Sequence, residues 1–430
     1  MPHAFRGPSP PFEADDPLPR RYLTGDSGIG GRIKVRPEDF VVEEIPLYEP
    51  DDTGEHLYLR IQKRGVAHGE LMSCLRRQFG VSERAIGYAG MKDKHAVTRQ
   101  TVSIHLIDDP PEVAIPHERI DVLWAARHRN KIRRGHLRGN RFSIRIRDVD
   151  PTRAPAALRT LRRLETSGCP AYFGAQRFGY RHNNHRLGLC LVQGDWQAAL
   201  DELLGAGGSP FPEYQRTRRE QYDAGAFDEA AAAWTAADRS ERIAAGTLAR
   251  GRTPKEAIRA IGGTTLRFWS SALVSSIFNR LLDTRIEEDA VGRLVAGDLA
   301  WKHDSRAVFA VTDELAAEAE LADRLTRLEI SPSGPLWGPN MTRAGGVVDA
   351  QEQAALAACG LTPADVERGE FHADGARRPF RTPIANADGE GGFDDHGPYV
   401  RLAFDLPRGM YATVVLREIM KDDGVEPSGG

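Results

Sequence analysis

The chain has 430 residues, 40% of them hydrophobic and 28% charged, and a formal net charge of -3 at pH 7. That is ordinary globular usage, so wholesale disorder is excluded, and at roughly 100–200 residues per domain the length predicts two or three domains. No run of about 18 apolar residues is present, which excludes a membrane-spanning helix.

Residues 1–20 combine prolines with acidic residues, show no periodicity and are expected to form a disordered leader. They hold no apolar stretch able to act as a secretory signal, and cytoplasmic residence is the expectation. Ile33–Val35, Phe40–Tyr48 and Leu57–Gln62 read as strands separated by turn residues at 37–39 and 51–54. Gly69–Phe79 reads as a helix, with Leu71, Leu75 and Phe79 spaced one turn apart. Thr101–Leu106 and Arg141–Arg147 alternate as half-buried strands; in the second, Phe142, Ile144 and Ile146 point one way and Arg141, Ser143, Arg145 and Arg147 the other. Thr152–Ser167 is expected to be a helix that ends at Gly168. Beyond it, Asp195–Gly205, Phe227–Leu248 and Thr265–Arg285 read as helices, and Gly297–Val311 as a short barrel-like β segment. Ser331–Asn340 reads as a turn-rich loop, Ala350–Cys359 as a helix, Ala385–Gly397 as an acidic, glycine-rich loop, Val400–Phe404 as a strand and Met410–Met420 as a helix. Strands and helices are mixed rather than strictly alternating, which predicts an α+β class over a doubly wound sheet. No internal repeat, coiled-coil pattern or long apolar stripe is visible, so a monomer without a protein partner is expected. Cys74, Cys169, Cys190 and Cys359 are scattered with no C-x-x-C, which predicts buried reduced thiols and neither a disulfide framework nor a cysteine zinc site.

The small net charge hides an asymmetry. From Arg32 to Arg186 there are 29 Lys+Arg against 19 Asp+Glu, a net of +10, so the remainder carries -13. A nucleic acid responds to the local field, so the first half is the candidate contact region. The densest part is RHRNKIRRGHLRGNRFSIRIR at 127–147, with nine Arg or Lys, two His and no acid. Like charges at this density repel, and phosphate would relieve that repulsion. Arg133, Arg134, Arg145 and Arg147 are the candidate phosphate contacts of this segment.

Two further constellations could carry chemistry. In YAGMKDKHAVTRQ at 88–100, Asp93 lies between Lys92 and Lys94 and is followed by His95. Positive neighbours favour an ionised, nucleophilic or basic carboxylate, and the segment sits just before a predicted strand in the basic half. Taken alone it also fits a solvated turn. In AYFGAQRFG at 171–179, aromatic residues interleave with Gln176 and Arg177 in a pattern suited to stacking on bases and bonding phosphates, or to an ordinary helix-to-loop junction with core aromatics.

With KVRPEDFVVEEI at 34–45, AGMKDKHAVTRQ at 89–100, LRGNRF at 137–142, AYFGAQRFG at 171–179, SGPLWG at 333–338 and FDLPRGMYATVVLREI at 404–419 in this order, the sequence resembles the tRNA pseudouridine synthase D (TruD) family from about Gly31 to Met420. The resemblance implies conversion of uridine to pseudouridine in RNA, at position 13 of certain tRNAs for bacterial members, with tRNA as partner and no cofactor or metal. It places the catalytic aspartate at Asp93 and substrate-contacting residues at Phe40, Asn140 and Phe404. It implies a pseudouridine-synthase catalytic domain with a mixed central sheet flanked by helices, discontinuous over 21–170 and 379–430, and an inserted second α/β domain over 171–378. The segment from about 344 to 378 does not align securely with the family, and Tyr411 stands where the family leads one to expect Phe. Lys34 and Lys92 are candidates to orient Asp93 or to stabilise developing negative charge.

Other classes fit less well. His68-Gly69-Glu70 supplies the H-x-E fragment of a zinc deaminase, but the P-C-x-x-C that must accompany it is missing. His182 and His185 have the spacing of a metal pair without an evident third ligand. A non-catalytic RNA-binding protein would use the same basic surface, but a carboxylate amid lysines repels phosphate and has no place in such a module.

Overall fold

The computed structural model describes residues 16–368, 370 and 373–421. The chain divides into two compact units: Leu23–Cys169 with Thr382–Gly430, and Met1–Tyr22 with Pro170–Arg381. Of the leader expected over 1–20, residues 1–15 lie outside the described residues. The rest of it is fastened to the second unit: the backbone N–H groups of Arg20 and Arg21 donate to Asp283 Oδ1 at 3.0 Å, and Asn279 Nδ2 donates to the Pro17 carbonyl at 2.9 Å.

The Leu23–Cys169 unit is built on an eight-stranded sheet. Its strands are β1 (Phe40–Pro46), β2 (His56–Arg64), β3 (Ile86–Tyr88), β4 (Val97–His105), β5 (Ile120–His128) and β6 (Leu137–Arg147), joined from the C-terminal segment by β7 (Ala385–Asp394) and β8 (Gly397–Pro407). The order is β7-β8-β6-β1-β4-β2-β5, with β3 paired to the far half of β4. β1 and β4 run parallel and the other described pairings are antiparallel. Three helices accompany the sheet: α1 (His68–Phe79), α2 (Ala154–Ser167) and α3 (Ala412–Met420). Leu57, Leu59 and Ile61 of β2 and Val102 and Ile104 of β4 pack with Leu71, Met72 and Leu75 of α1 in one buried cluster, each large side chain contributing roughly 1.5–3 kcal/mol. Mixed sheet and flanking helices make this the expected α+β architecture.

The expected secondary structure needs correction in several places. Ile33–Val35 is not a strand; Arg32 makes a single bridge to Arg147, and Lys34 turns the chain away with φ of 54°. The basic segment begins inside β5, a strand that Trp124 and the run of alanine and charge after it concealed. The glycine-rich loop expected at 385–397 is the edge strand β7. Its glycines admit close neighbours, since a Cβ on Gly391 would stand 2.1 Å from the Pro151 carbonyl oxygen. Its acids are paired across the sheet, Asp388 and Glu390 with Arg401 at 2.8 and 2.6 Å. The loop expected at 331–340 contains the strand Ile330–Leu336, whose prolines keep the extended φ and still accept, as in Phe380 N–H to the Pro332 carbonyl at 2.8 Å.

The Pro170–Arg381 unit centres on the 25-residue helix Gly263–Glu287, buried on most of its circumference. The helix Asn184–Gln193 crosses it closely at Gly188, where a Cβ would stand 2.3 Å from the Trp269 carbonyl oxygen. The helix expected over Phe227–Leu248 is two, Phe227–Ala233 and Arg239–Ala249, broken where the Thr235 hydroxyl donates to Asp238 at 2.7 Å. A four-stranded sheet completes the unit, ordered Ala376–Pro379, Ile330–Leu336, Leu299–Lys302 and Val308–Ala310; the last two lie in the β segment expected over 297–311 and pair antiparallel as part of this sheet.

Candidate active site

The parallel pair sets the geometry. Because β1 and β4 run the same way, the segments that lead into them, 32–39 and 89–96, arrive at one end of the sheet. Lys34 lies on the first and Asp93 on the second, and Lys34 Nζ meets Asp93 Oδ2 at 2.8 Å. The left-handed backbone at Lys34 aims that side chain inward, where it is 7% exposed, while the Asp93 side chain is 42% exposed. A covered lysine thus holds one oxygen of an accessible carboxylate. The same ammonium sits 4.6 Å from the centroid of the Phe40 ring, a cation–π contact that fixes the lysine further.

Lys92, one residue earlier, turns into the sheet. Its Nζ pairs with Glu44 Oε2 at 2.9 Å and donates to Asn140 Oδ1 at 2.9 Å. Glu44 and Lys92 side chains are 2% and 5% exposed, a burial that is tolerated because each charge has a partner. Register accounts for the meeting: Glu44 of β1 pairs directly with Asn140 of β6. From below, Lys63 of β2 donates from Nζ to the Asp93 carbonyl at 2.8 Å, to the Val66 carbonyl at 2.8 Å and to the Lys92 carbonyl at 3.5 Å. The aromatic wall is continuous: Phe40 meets Phe142 edge-on at 6.2 Å, and Phe142 stacks on Phe404 at 5.6 Å. Phe40 is 2% and Phe404 0% exposed, so in this structure both rings are packed into the wall.

The basic segment divides in two. Arg127 pairs with Asp109, Arg129 with Asp51 at 2.8 Å, Arg141 with Asp405 at 2.9 Å and Arg147 with Asp39 at 2.5 Å and Asp394 at 2.6 Å. Much of the repulsion within this run is therefore relieved by carboxylates remote in sequence. This corrects the expectation for Arg147, which is 3% exposed and unavailable to phosphate. Its two partners hold its guanidinium strongly in the charged form, and Arg147 in turn holds the Asp394 carboxyl far below the usual carboxylate range. Arg133 and Arg134 are exposed, with Arg134 bonded to the Tyr88 hydroxyl at 3.1 Å. Arg145 is partly exposed, over the Tyr399 ring at 5.0 Å and 3.6 Å from Asp394. In the second unit Gln176 is exposed, while Arg177 is half-buried between the Phe173 and Phe268 rings and donates to Ser275 Oγ at 3.1 Å.

A family model described as tRNA pseudouridine synthase D (TruD) matches residues 19–419. The chain belongs to the TruD family. Membership makes it an isomerase that acts on RNA. It is 41% identical over 404 residues to the tRNA pseudouridine synthase D of Syntrophotalea carbinolica, covering 94% of this chain and 99% of that one. It is 42% identical over 416 residues to that of Geobacter sulfurreducens, covering 96% and 99%. A crystal structure described as a TruD protein from Methanosarcina mazei superposes with a TM-score of 0.79 at 29% identity, covering 94% of this chain and 97% of that one.

In this TruD-family chain the structure gathers Lys34, Phe40, Lys92, Asp93 and Asn140 around one mouth of the sheet. Sequence reasoning missed Glu44 and Lys63. Both carried a readable signal: each continues an inward-facing series, Phe40-Val42-Glu44 and Leu57-Leu59-Ile61-Lys63, with a charge where the pattern calls for a hydrophobe. His68 lies edge-on to Tyr88 at 4.4 Å, and no cluster of three His, Cys, Asp or Glu suited to a metal occurs among the described residues.

Proposed function

We propose that the protein isomerises one uridine of tRNA, the nucleotide at position 13, to pseudouridine in the cytoplasm, with Asp93 as the catalytic carboxylate. The observation that carries the reading is the Lys34–Asp93 pair: the carboxylate is anchored through Oδ2 at 2.8 Å, is accessible, and has Oδ1 without a partner among the described residues. The target uridine is extruded from its stack, at a cost of a few kcal/mol, and its base is received beside Phe40 and Asn140. The N1–C1′ bond breaks, the uracil turns, and a C5–C1′ bond forms; C5 loses a proton and N1 gains one, so no oxidant, reductant or nucleotide is consumed. Asp93 serves this chemistry by attack at the anomeric carbon, by removing a ribose proton to give a glycal, or by addition to the ring, and the site is compatible with all three. Lys34 and Lys92 supply fixed positive charge that needs no reorganisation during the reaction.

The test is release of tritium from tRNA labelled at uracil C5. Wild type is expected to release it, and Asp93→Asn to lose about 10³-fold or more of the rate while tRNA still binds. Release by Asp93→Asn at the wild-type rate would remove Asp93 from the mechanism; binding of tRNA without release by either protein would favour the non-catalytic RNA-binding reading.

A further inference from the structure

Lys63 occupies a core position of β2. Leu57, Leu59 and Ile61 precede it in the same phase and are buried, and the lysine follows them inward with 0% exposure. A buried ammonium is costly unless its protons find acceptors. Lys63 finds three, the carbonyls of Val66, Asp93 and Lys92, and no carboxylate bonds it among the described residues. Two of these acceptors are successive carbonyls of the loop that carries Asp93. That loop is in no ladder between Tyr88 and Val97. Its other backbone ties are Gly135 N–H to the Ala89 carbonyl at 2.8 Å, Gly65 N–H to the Ala96 carbonyl at 3.1 Å and, within the loop, Ala96 N–H to the Lys94 carbonyl at 2.9 Å; none of these engages the backbone of Lys92 or Asp93. The backbone of Lys92 and Asp93 is held by one ammonium.

We propose, on the reading of Asp93 given above, that Lys63 is a positioning residue of this site: its charged ammonium fixes the Lys92–Asp93 backbone and thereby the aim of the Asp93 carboxylate. Charge matters because an ammonium offers three protons to three carbonyls, whereas a neutral amine offers two and leaves one buried carbonyl unpaired. Burial pushes this ammonium down to about 8, with Asp93 and Glu70 drawing it up and Lys92 pressing it further down. The groups that face it are thus Asp93 and Lys92 from the loop and Glu70 and His68 from α1. His68 is itself lowered by burial and stays neutral in the range that matters. The sign follows: the charged form prevails below about pH 8, and the rate falls as pH rises through that value.

The experiment is single-turnover tritium release with excess enzyme, run from about pH 6.5 to 9.5, with tRNA Kd measured alongside. Lys63→Met keeps the apolar stem and removes every donor. It is expected to slow release by about 10–100-fold, the order that an ångström-scale misplacement costs, to leave Kd within about twofold, and to lose the alkaline fall seen in wild type. Lys63→Arg, charged throughout this range, is expected to lose the alkaline fall as well, at a reduced rate. A Lys63→Met rate within about twofold of wild type, or an unchanged alkaline fall in that variant, overturns the proposal. If neither variant shows a cooperative melt, the wild-type profile decides alone: a fall centred near pH 8 supports the proposal and a flat profile overturns it. Asp93→Asn measured in parallel separates the two failures. An active Asp93→Asn sinks the reading of Asp93 and this proposal with it, while an inactive Asp93→Asn beside an unimpaired Lys63→Met sinks the Lys63 role alone.

Discussion

Asn140 shows how hydrogen-bond valence at one residue limits what it can recognise. Its neighbour Lys92 carries an ammonium, which only donates, so the 2.9 Å contact must engage Asn140 Oδ1. The amide is thereby oriented, and its Nδ2 is left to present donors. A residue presenting donors reads an acceptor, and a uracil carbonyl is one. Asn140→Asp keeps the bond to Lys92 but replaces the donor with a second acceptor. The expected outcome is a fall in tritium release of about 10-fold or more, corresponding to about 1.4–3 kcal/mol for a lost hydrogen bond and a buried group left unmatched. The fold should be retained, because the Glu44–Lys92 ion pair persists. An unchanged rate would show that Asn140 does not meet the base. Glu44 works at the same scale from behind: it accepts from the Thr101 backbone N–H at 3.3 Å and pairs with Lys92, so the orientation of Asn140 is set two residues deep.

Among the elements, β6 bears the most constraint. It lies between β1 and β8, and its register with β1 slips at Arg138, between the Ile45–Gly139 and Pro46–Leu137 pairs. A Cβ on Gly139 would stand 2.2 Å from the Leu406 carbonyl oxygen, so β8 approaches only because that position is glycine. Gly139→Ala is therefore expected to force the two strands apart and to destabilise the unit by about 1–3 kcal/mol, read as a lowered midpoint in urea; an unchanged midpoint would show that β8 can shift at no cost. This element also marks how far the sequence could be read. The alternation of Phe142, Ile144 and Ile146 identified β6, and the same logic found β1, β2 and α1, because in each the buried face is continuous. It failed at β7, where glycine and acid look like a loop until Arg401 and Arg147 supply partners from elsewhere in the chain. It failed at Ile330–Leu336 because proline was read as punctuation. The expectations for Asp93, Phe40, Asn140 and Phe404 came through the family strings and that for Lys34 from its charge, whereas Lys63 and Glu44 required knowing which face of each strand is buried.

Over the whole molecule the question is how a chain of net charge -3 engages a polyanion. The run 127–147 does not act as nine equivalent cations. Arg127, Arg129, Arg141 and Arg147 are neutralised by Asp109, Asp51, Asp405 and the Asp39–Asp394 pair, so they give shape to the sheet rather than field to its surroundings. Arg133 and Arg134 are exposed and carry no ion pair with a carboxylate among the described residues. Charge that is free to meet phosphate releases counterions and appears in the salt dependence of binding, at roughly 0.7–0.9 in slope per contact. Replacing Arg133 and Arg134 together by alanine is expected to weaken tRNA binding and to lower the log Kd against log salt slope by about 1.4–1.8 on that basis, with the melting temperature unchanged. Arg147→Ala is the matched control with the opposite signature. It leaves Asp39, at 0% exposure, without its cation, so it is expected to cost about 3–5 kcal/mol of stability and to leave the salt slope as it was. If instead Arg147→Ala changed the slope and the Arg133/Arg134 pair did not, the division of the basic run into structural and phosphate-facing halves would be wrong. The contact surface would then have to be sought among the cations of the second unit.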